Sequence, residues 1–198
     1  MTLPTLTTTA YFPPLTWFVH ALTAGSWQWE AQETYQKGGW RNRCRILTAN
    51  GPLLLSVPLR GGKHQQMPIR EVLIDARPDW RRQHAQAIRS AYGRSPYFEH
   101  YVEVVLQLLQ QQHDTLWDYN LAITRGIIQL LDLPLSLSLT TSFRGGAAGA
   151  TQVEGGGGLT SYPQVFADRF EFVNGLSVLD GLFCLGPELS TTFTPWQT

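Results

Sequence analysis

The 198-residue sequence is poor in cysteine and has no long apolar segment. Its two cysteines, Cys44 and Cys184, are too few and too far apart in sequence for a disulfide framework or a cysteine-based zinc site. No run of about 18 apolar residues is present, so no membrane insertion is expected. The N-terminal sequence MTLPTLTTTAYFPP lacks the basic and apolar segments of an export signal. We therefore expect a reduced, cytoplasmic protein.

The sequence also has no excess charge of either sign, with 15 Lys and Arg against 15 Asp and Glu. The charges are unevenly placed: residues 1–94 carry 12 basic and 5 acidic side chains, whereas residues 95–198 carry 3 and 10. A chain without overall basicity is a poor candidate for binding nucleic acid, including single strands stacked on Arg and Trp. The basic first half indicates a small anionic ligand instead.

Residues 6–31 follow a strand, helix, strand pattern. A Thr-rich strand over 6–11 ends at Pro13-Pro14, which open a helix over 15–22 that Gly25 closes. Residues 26–31 then alternate as a second strand. A crossover of this kind joins parallel strands.

A β-hairpin is predicted next. A strand over 40–48 and a return strand, with Leu53, Leu55, Val57 and Leu59 on its apolar face, are separated by Asn50-Gly51. Residues 71–75 are interpreted as a short third core strand.

Helical periodicity predicts most of the second half. The first helix starts at residues 78–79, Ser95-Pro96 opens the second, and Asp114 caps the third. Residues 135–141 alternate as a strand, and residues 162–172 and 177–185 are helical. Ser177 and Asp180 of the last helix resemble a capping box.

Together these elements predict one α/β domain over residues 1–198. It has a Rossmann-like, mostly parallel sheet with flanking helices, an inserted β-hairpin, and a flexible Gly-rich loop at 142–160. The glycines at 155–158 are not followed by the Lys-Ser/Thr of a nucleotide-binding loop. No His, Asp or Glu spacing indicates zinc. We expect neither a cofactor nor a metal.

The segment from Tyr35 to Pro58 contains Lys37, Arg41, Arg43 and Arg45 with no acidic residue after Lys37. On a strand over 40–48, the three arginines share one face and Cys44 lies on the other. Forked guanidinium groups bind phosphate or carboxylate. A solvated strand face is the alternative, and it is the preferred interpretation for Arg45, nearest the hairpin end.

Other side chains complete the candidate site. His84 lies on the apolar stripe of its helix, either as a core histidine or as a general base, and no acidic residue at helical spacing orients it. Tyr11 precedes a helix N-terminus, where it contacts a ligand or packs on Trp17. Substrate-binding roles are also predicted for Tyr35, Lys37, Arg41, Asn42, Arg43 and Tyr92.

An ordered series of motifs is similar to the WbqC-like protein family, in particular to its short Bacteroidetes-type members. It comprises Ala10-Tyr11-Phe12-Pro13-Pro14, Tyr35-x-Lys37, Trp40-Arg41-Asn42-Arg43-Cys44, Asn50-Gly51-Pro52, Ser56-Val57-Pro58, Trp80-x-x-x-His84, Ala91-Tyr92-x-x-Ser95-Pro96-Tyr97-Phe98-Glu99, Tyr162-x-Gln164-Val165-Phe166 and Leu179-Asp180-x-Leu182-Phe183-x-x-Gly186-Pro187. The chain departs from the family pattern with His20 in place of Lys, Gly181 in place of a larger apolar residue and Cys184 in place of Asn.

The resemblance implies a role in bacterial surface-polysaccharide (O-antigen) biosynthesis. We therefore expect a group-transfer enzyme, of the acyl or aminoacyl transferase kind, acting on a nucleotide-linked sugar or related anionic metabolite. In this hypothesis Lys37, Arg41 and Arg43 hold negative charge, Asn42 orients the substrate and His84 moves the proton. The alternative is a non-catalytic binding or assembly protein that docks through the arginine row. The oligomeric state is not predicted.

Overall fold

The computed structural model describes residues 4–61, 67–76, 79–144, 159 and 161–192. Most of the predicted Gly-rich loop, including residues 155–158, lies outside this part of the chain. In chain order the elements are β1 (Thr5–Thr7), α1 (Leu15–Ala24), β2 (Trp27–Trp29), β3 (Arg43–Thr48), β4 (Gly51–Ser56), a 3₁₀ turn (Ile69–Glu71), α2 (Trp80–Tyr92), α3 (Phe98–Gln110), α4 (Leu116–Leu130), β5 (Leu137–Leu139), α5 (Val178–Leu185) and α6 (Glu188–Thr192).

The strands form a three-stranded parallel sheet and a separate antiparallel hairpin. The sheet has the order β1-β2-β5, with both neighbouring pairs parallel. β3 and β4 pair only with each other among the named strands. The mixed α/β class, with a mostly parallel sheet and an added hairpin, is therefore confirmed.

Helix α1 crosses between β1 and β2, as the sequence predicts. Pro14 is the residue before its first turn, and Gly25 ends it in the left-handed conformation, with φ of 72° and its N–H bonded to the Leu22 carbonyl. Phe12 has a φ of 39°, an uncommon value for a large side chain. Its carbonyl accepts a hydrogen bond from Ser177 Oγ at 2.9 Å, which joins this bend to the start of α5.

The hairpin forms where Asn50-Gly51 predicts it. Thr48 pairs with Gly51, so Ala49 and Asn50 form the turn and Gly51 takes a φ of 99°. The prediction for Leu53 is wrong, because its side chain is 40% exposed while Leu55 is buried. Helices α2 and α5 pack against β3, whereas Leu53 and Leu54 of β4 are both exposed.

Two predicted caps are wrong. Thr115, not Asp114, caps α4, since the Thr115 side chain accepts from the Asp118 N–H. Ser95 Oγ donates to the Tyr92 carbonyl at 2.6 Å, and α3 begins at Phe98 with Tyr97 as its N-cap. Ser95 thus ties α3 to the end of α2 instead of capping α3.

Two predicted elements are not formed. Residues 71–75 are not a core strand: after the 3₁₀ turn, Leu73 and Ile74 make single bridges to Thr115 and Leu59. Residues 162–172 form turns instead of a helix. Gln164 Nε2 donates to the Val173 carbonyl, and Gln164 Oε1 accepts from the Val173 N–H. The Gln164 side chain thus satisfies both backbone groups of Val173, which a helix or strand would satisfy with backbone partners.

Candidate functional site

A groove of about 290 Å³ lies beside the hairpin and includes two of the predicted arginines. Its lining contains Trp40, Arg43 and Arg45, together with Leu54 and the glycines at 38 and 39. Arg43 and Arg45 alternate with the buried Cys44 along β3. Their side chains therefore share one face, as the period of two predicts. We call this feature the basic groove.

The two groove arginines differ in how they are held. Arg45 donates from Nε to the Gly175 carbonyl at 3.1 Å and from Nη2 to the Asn174 carbonyl at 2.7 Å, and its guanidinium lies 5.8 Å from the Trp40 ring centroid. Arg45 is therefore fixed and not simply solvated, contrary to the prediction. The Arg43 side chain makes no hydrogen bond or ion pair with the described residues, although its backbone N–H donates to the Trp40 carbonyl at 3.2 Å. One guanidinium is anchored, and the other keeps its donors available.

Arg41 does not belong to the arginine face, so this part of the prediction is wrong. It precedes β3, is 8% exposed, and forms a bidentate pair with Glu33, with Nε–Oε1 at 3.1 Å and Nη2–Oε2 at 2.5 Å. The strand begins at residue 43 instead of 40, so the alternation does not extend to Arg41. Its charge is already neutralised within the fold.

Three other predicted ligand-binding residues lie around the same segment. Lys37 is exposed. Tyr35 is buried and donates to Asn42 Oδ1 at 3.2 Å, while Asn42 Nδ2 donates to the Val57 carbonyl at 2.9 Å. The Asn42 amide therefore connects the residues before β3 to the residue after β4. None of the three lines the basic groove, and their roles toward a ligand stay predictions.

Tyr11 and His84 are in direct contact, which joins the chain between β1 and α1 to helix α2. The Tyr11 hydroxyl lies 2.8 Å from His84 Nδ1, and both side chains are buried. Tyr11 packs on Tyr119 with ring centroids 5.9 Å apart and on Trp80 at 6.5 Å. The predicted inward orientation of His84 is confirmed. Its orienting partner is a phenol distant in sequence, which a search at helical spacing misses.

The surroundings of His84 keep its ring neutral. Burial and the Arg81 guanidinium lower the pKa of His84 to about 4, while a hydrogen bond to the Ser56 backbone opposes them. Burial raises the pKa of Tyr11 well above its usual value, so the phenol keeps its proton. A neutral phenol and a neutral imidazole share the one hydrogen bond at Nδ1, and the ring also interacts with the Ser56 backbone. The His84 ring therefore has two partners within the fold.

Ser56 connects His84 to the basic groove. It is the cross-strand partner of Arg43 in the hairpin, and its backbone binds His84. The groove and the Tyr11–His84 pair thus contact the same end of the hairpin.

Tyr92 lies in a different polar cluster. It is fully buried, its hydroxyl accepts from the Leu47 N–H at 3.3 Å, and it does not line the basic groove. Near it, Asp180 Oδ2 accepts from the Tyr162 hydroxyl at 2.7 Å and from Gln164 Nε2 at 3.2 Å. Asp180 is therefore not part of a capping box; Ser177 alone caps α5. Burial raises the pKa of the Asp180 carboxyl.

Neither a membrane span nor a metal-binding cluster is found in the described ranges. None of the helices there has the length and apolar character needed to cross a bilayer. Within the same ranges, no group of three or more His, Cys, Asp and Glu side chains is placed to hold a metal ion.

The fold and the site define a mixed α/β protein whose hairpin carries an arginine- and tryptophan-lined groove. The chain belongs to the WbqC-like protein family, whose model matches residues 9–153. This span includes β3, β4 and α2 and ends before α5. The family identification made from the motifs is thereby confirmed.

The chain is also similar to "Uncharacterized protein Rv1507c" of Mycobacterium tuberculosis (strain ATCC 25618 / H37Rv). The two are 33% identical over 107 residues, which is 52% of this chain and 45% of the mycobacterial protein. The chain thus spans less than half the length of that relative. No solved structure matches the chain.

Proposed function

We propose that this protein binds a nucleotide-linked sugar or related anionic metabolite in the basic groove, and acts on it by group transfer during bacterial surface-polysaccharide (O-antigen) biosynthesis. The observation that carries the proposal is the groove itself, in which Trp40, Arg43 and Arg45 converge on one open space. The polysaccharide context comes from the family resemblance.

The chemistry of the groove suits a phosphate attached to a planar or sugar ring. Arg43 offers a complete guanidinium fork for phosphate oxygens. Arg45 is held by two backbone carbonyls, so little side-chain entropy is lost when it binds a ligand. The Trp40 indole supplies a flat surface for stacking a base.

The transfer step requires a group that accepts a proton, and His84 is the candidate. Its ring is neutral near pH 7 and can accept one. Nδ1 faces the Tyr11 hydroxyl, so a proton from a substrate amine or hydroxyl reaches it through that phenol or after the pair separates.

One observation favours a second candidate, a binding or assembly protein that does not catalyse a reaction. The His84 ring interacts with the Tyr11 hydroxyl and with the Ser56 backbone, both within the fold, and Tyr11 is completely buried. This is the arrangement of a structural histidine. The basic groove serves equally well to bind a nucleotide-linked sugar without changing it.

Calorimetric titration with UDP- and dTDP-linked sugars tests the binding step. The wild-type protein should bind at least one of them, and Arg43→Gln combined with Arg45→Gln should weaken binding at least tenfold. Arg82→Gln is the matched control, because Arg82 is exposed and lies on α2, away from the groove. Absence of binding to every compound, or full affinity in the double variant, would contradict the proposal.

A product assay separates the two candidates. The protein is incubated with each bound sugar and with acyl-thioester donors, and the sugar is examined by mass spectrometry. An enzyme should transfer the acyl group from the thioester to an amine or hydroxyl of the sugar, so that the C–S bond breaks and the thiol leaves with the proton taken from the sugar. The sugar's mass then increases by the acyl group, and His84→Gln should abolish this change while sugar binding persists. Binding without any product for all donors would favour the non-catalytic candidate.

A further inference from the structure

A cavity of about 380 Å³ shares no lining residue with the basic groove. Four segments build it: the chain after β4 at Arg60, residues 73–76, the first turn of α2 at Arg81, and residues 112–114 before α4. Its volume falls within the roughly 300–1,000 Å³ typical of small-molecule sites. We call it the Arg81 cavity.

Arg81 is held rigidly but is not fully hydrogen bonded. Its guanidinium carbon lies 4.3 Å from the Trp80 ring centroid and 5.5 Å from that of Tyr119. Nη2 reaches the Gln111 carbonyl at 3.3 Å, a long bond. Nε is buried and has no acceptor. A buried donor without an acceptor is costly, so an acceptor atom on a ligand in the adjacent cavity would stabilise Arg81.

The cavity contains a second cation. Arg60 lines it, and neither Arg60 nor Arg81 belongs to an ion pair between described residues. The two guanidinium groups, of which that of Arg81 has an Nε–H without an acceptor, favour an anion in the cavity.

An acidic residue of the cavity restricts which anion fits. Asp114 also lines it, so a bare anion would meet repulsion there. A ligand with hydroxyl groups next to its charged end can face the guanidiniums with the anion and donate hydrogen bonds to this carboxylate. The two guanidiniums and the carboxylate together select a polyhydroxylated anion.

We propose that the Arg81 cavity is a second ligand site, which binds a small polyhydroxylated phosphate or carboxylate through Arg60 and Arg81 and orients its hydroxyl groups through Asp114. The site is separate from the basic groove and does not depend on the function proposed for that groove.

Titration with three probes tests the site and identifies the anion. Glucose 1-phosphate and gluconate both carry hydroxyls but differ in the anionic group, and inorganic phosphate carries none. We expect one of the two hydroxylated probes to bind at least tenfold more tightly than inorganic phosphate. The tighter of the two tells whether phosphate or carboxylate is preferred. Failure of both to bind would overturn the proposal.

The variants locate the binding. Arg81→Gln and Arg60→Gln should each weaken the preferred probe at least tenfold, whereas Arg82→Gln, the neighbouring exposed arginine of α2, should not. Asp114→Asn should reduce the advantage of the hydroxylated probe over inorganic phosphate. Arg43→Gln with Arg45→Gln should leave this binding unchanged, so failure at the groove and failure at the cavity are distinguishable.

The nitrogen-bound proton of Arg81 gives a direct readout. The probe should shift the Nε–H signal of Arg81 in a nitrogen-15 NMR spectrum, and the Nε–H signal of Arg43 should stay in place. If Arg81→Gln alters the fold, Arg81→Lys keeps the positive charge and should retain partial affinity. Unchanged affinity in both Arg60→Gln and Arg81→Gln, or a shift confined to Arg43 and Arg45, would overturn the proposal.

Discussion

The Tyr11 hydroxyl and the His84 ring are joined at 2.8 Å although they lie 73 positions apart in the chain. The contact lies under the hairpin, where Ser56 binds the same imidazole. One hydrogen-bonded ring therefore connects the chain after β1, helix α2 and strand β4. Changes at this pair should affect the stability of all three.

Replacing Tyr11 by Phe should destabilise the fold. The change removes the partner of Nδ1 and leaves a buried polar atom unsatisfied, which costs about 1–3 kcal/mol. Tyr35→Phe is the control, because it removes a longer, partly buried bond to Asn42 and should cost less. Urea unfolding measures both. An equal decrease in the free energy of unfolding in the two variants would mean that the Tyr11–His84 hydrogen bond stabilises the fold no more than the Tyr35–Asn42 bond does.

The stability of the protein should fall on acidification because of His84. Its pKa in the fold is about 4, against an ordinary value of 6.5, so the unfolded chain takes up the proton first. The free energy of unfolding should therefore decrease between pH 6.5 and 4 by about 3 kcal/mol from this residue.

The His84→Gln variant isolates this contribution. A glutamine side chain at this position cannot take up the proton, so the difference in unfolding free energy between wild type and variant should change by about 3 kcal/mol across that interval. Denaturant unfolding at a series of pH values measures the difference. A constant difference from pH 7 to pH 4 would show that the His84 pKa is not lowered in the fold.

Arg41 and Arg43 should respond oppositely to substitution. Arg41→Met leaves Glu33 buried without its partner and should cost about 3–5 kcal/mol, and adding Glu33→Met should recover much of that loss. Arg43→Met should change stability by less than about 0.5 kcal/mol, yet weaken binding in the basic groove. Unfolding and titration of each variant check this. A stable Arg41→Met protein would contradict the structural role of the pair.

Gly175 should control the position of Arg45. It has a φ of 70°, and a Cβ there would overlap Arg45 Nη2. Gly175→Ala should cost about 1–2 kcal/mol in backbone strain and also weaken ligand binding by displacing the guanidinium. Gly25→Ala is a matched control with a φ of 72° and nothing within 4 Å of the added Cβ. It should lose similar stability and retain affinity.

Local sequence signals predict much of the fold. Proline and glycine at 14 and 25 set the limits of α1, and Asn50-Gly51 places the hairpin, because these residues restrict the backbone over a few positions. The alternation along β3 also puts Arg43 and Arg45 on one face. The predicted start of β3, at residue 40 instead of 43, is wrong, and this error wrongly places Arg41 on the same face as Arg43 and Arg45.

The remaining site contacts depend on tertiary structure. Tyr11 reaches His84 from another part of the chain, and Asp180 accepts from Tyr162 across a turn that the sequence predicts as helix. The Gln164 side chain satisfies the backbone N–H and carbonyl of Val173, and the spacing of apolar residues in the sequence does not predict such a bond. Such pairs become visible only when the packing of the elements is known.

Cys44 and Cys184 are buried, and burial raises the pKa of each thiol. A thiol-specific alkylating reagent should therefore leave the folded protein unmodified and react as each site opens, since the attacking species is an exposed thiolate. Cys44 lies in the hairpin and Cys184 in α5, so the rates of alkylation at the two positions compare local opening in two parts of the molecule without any engineered label.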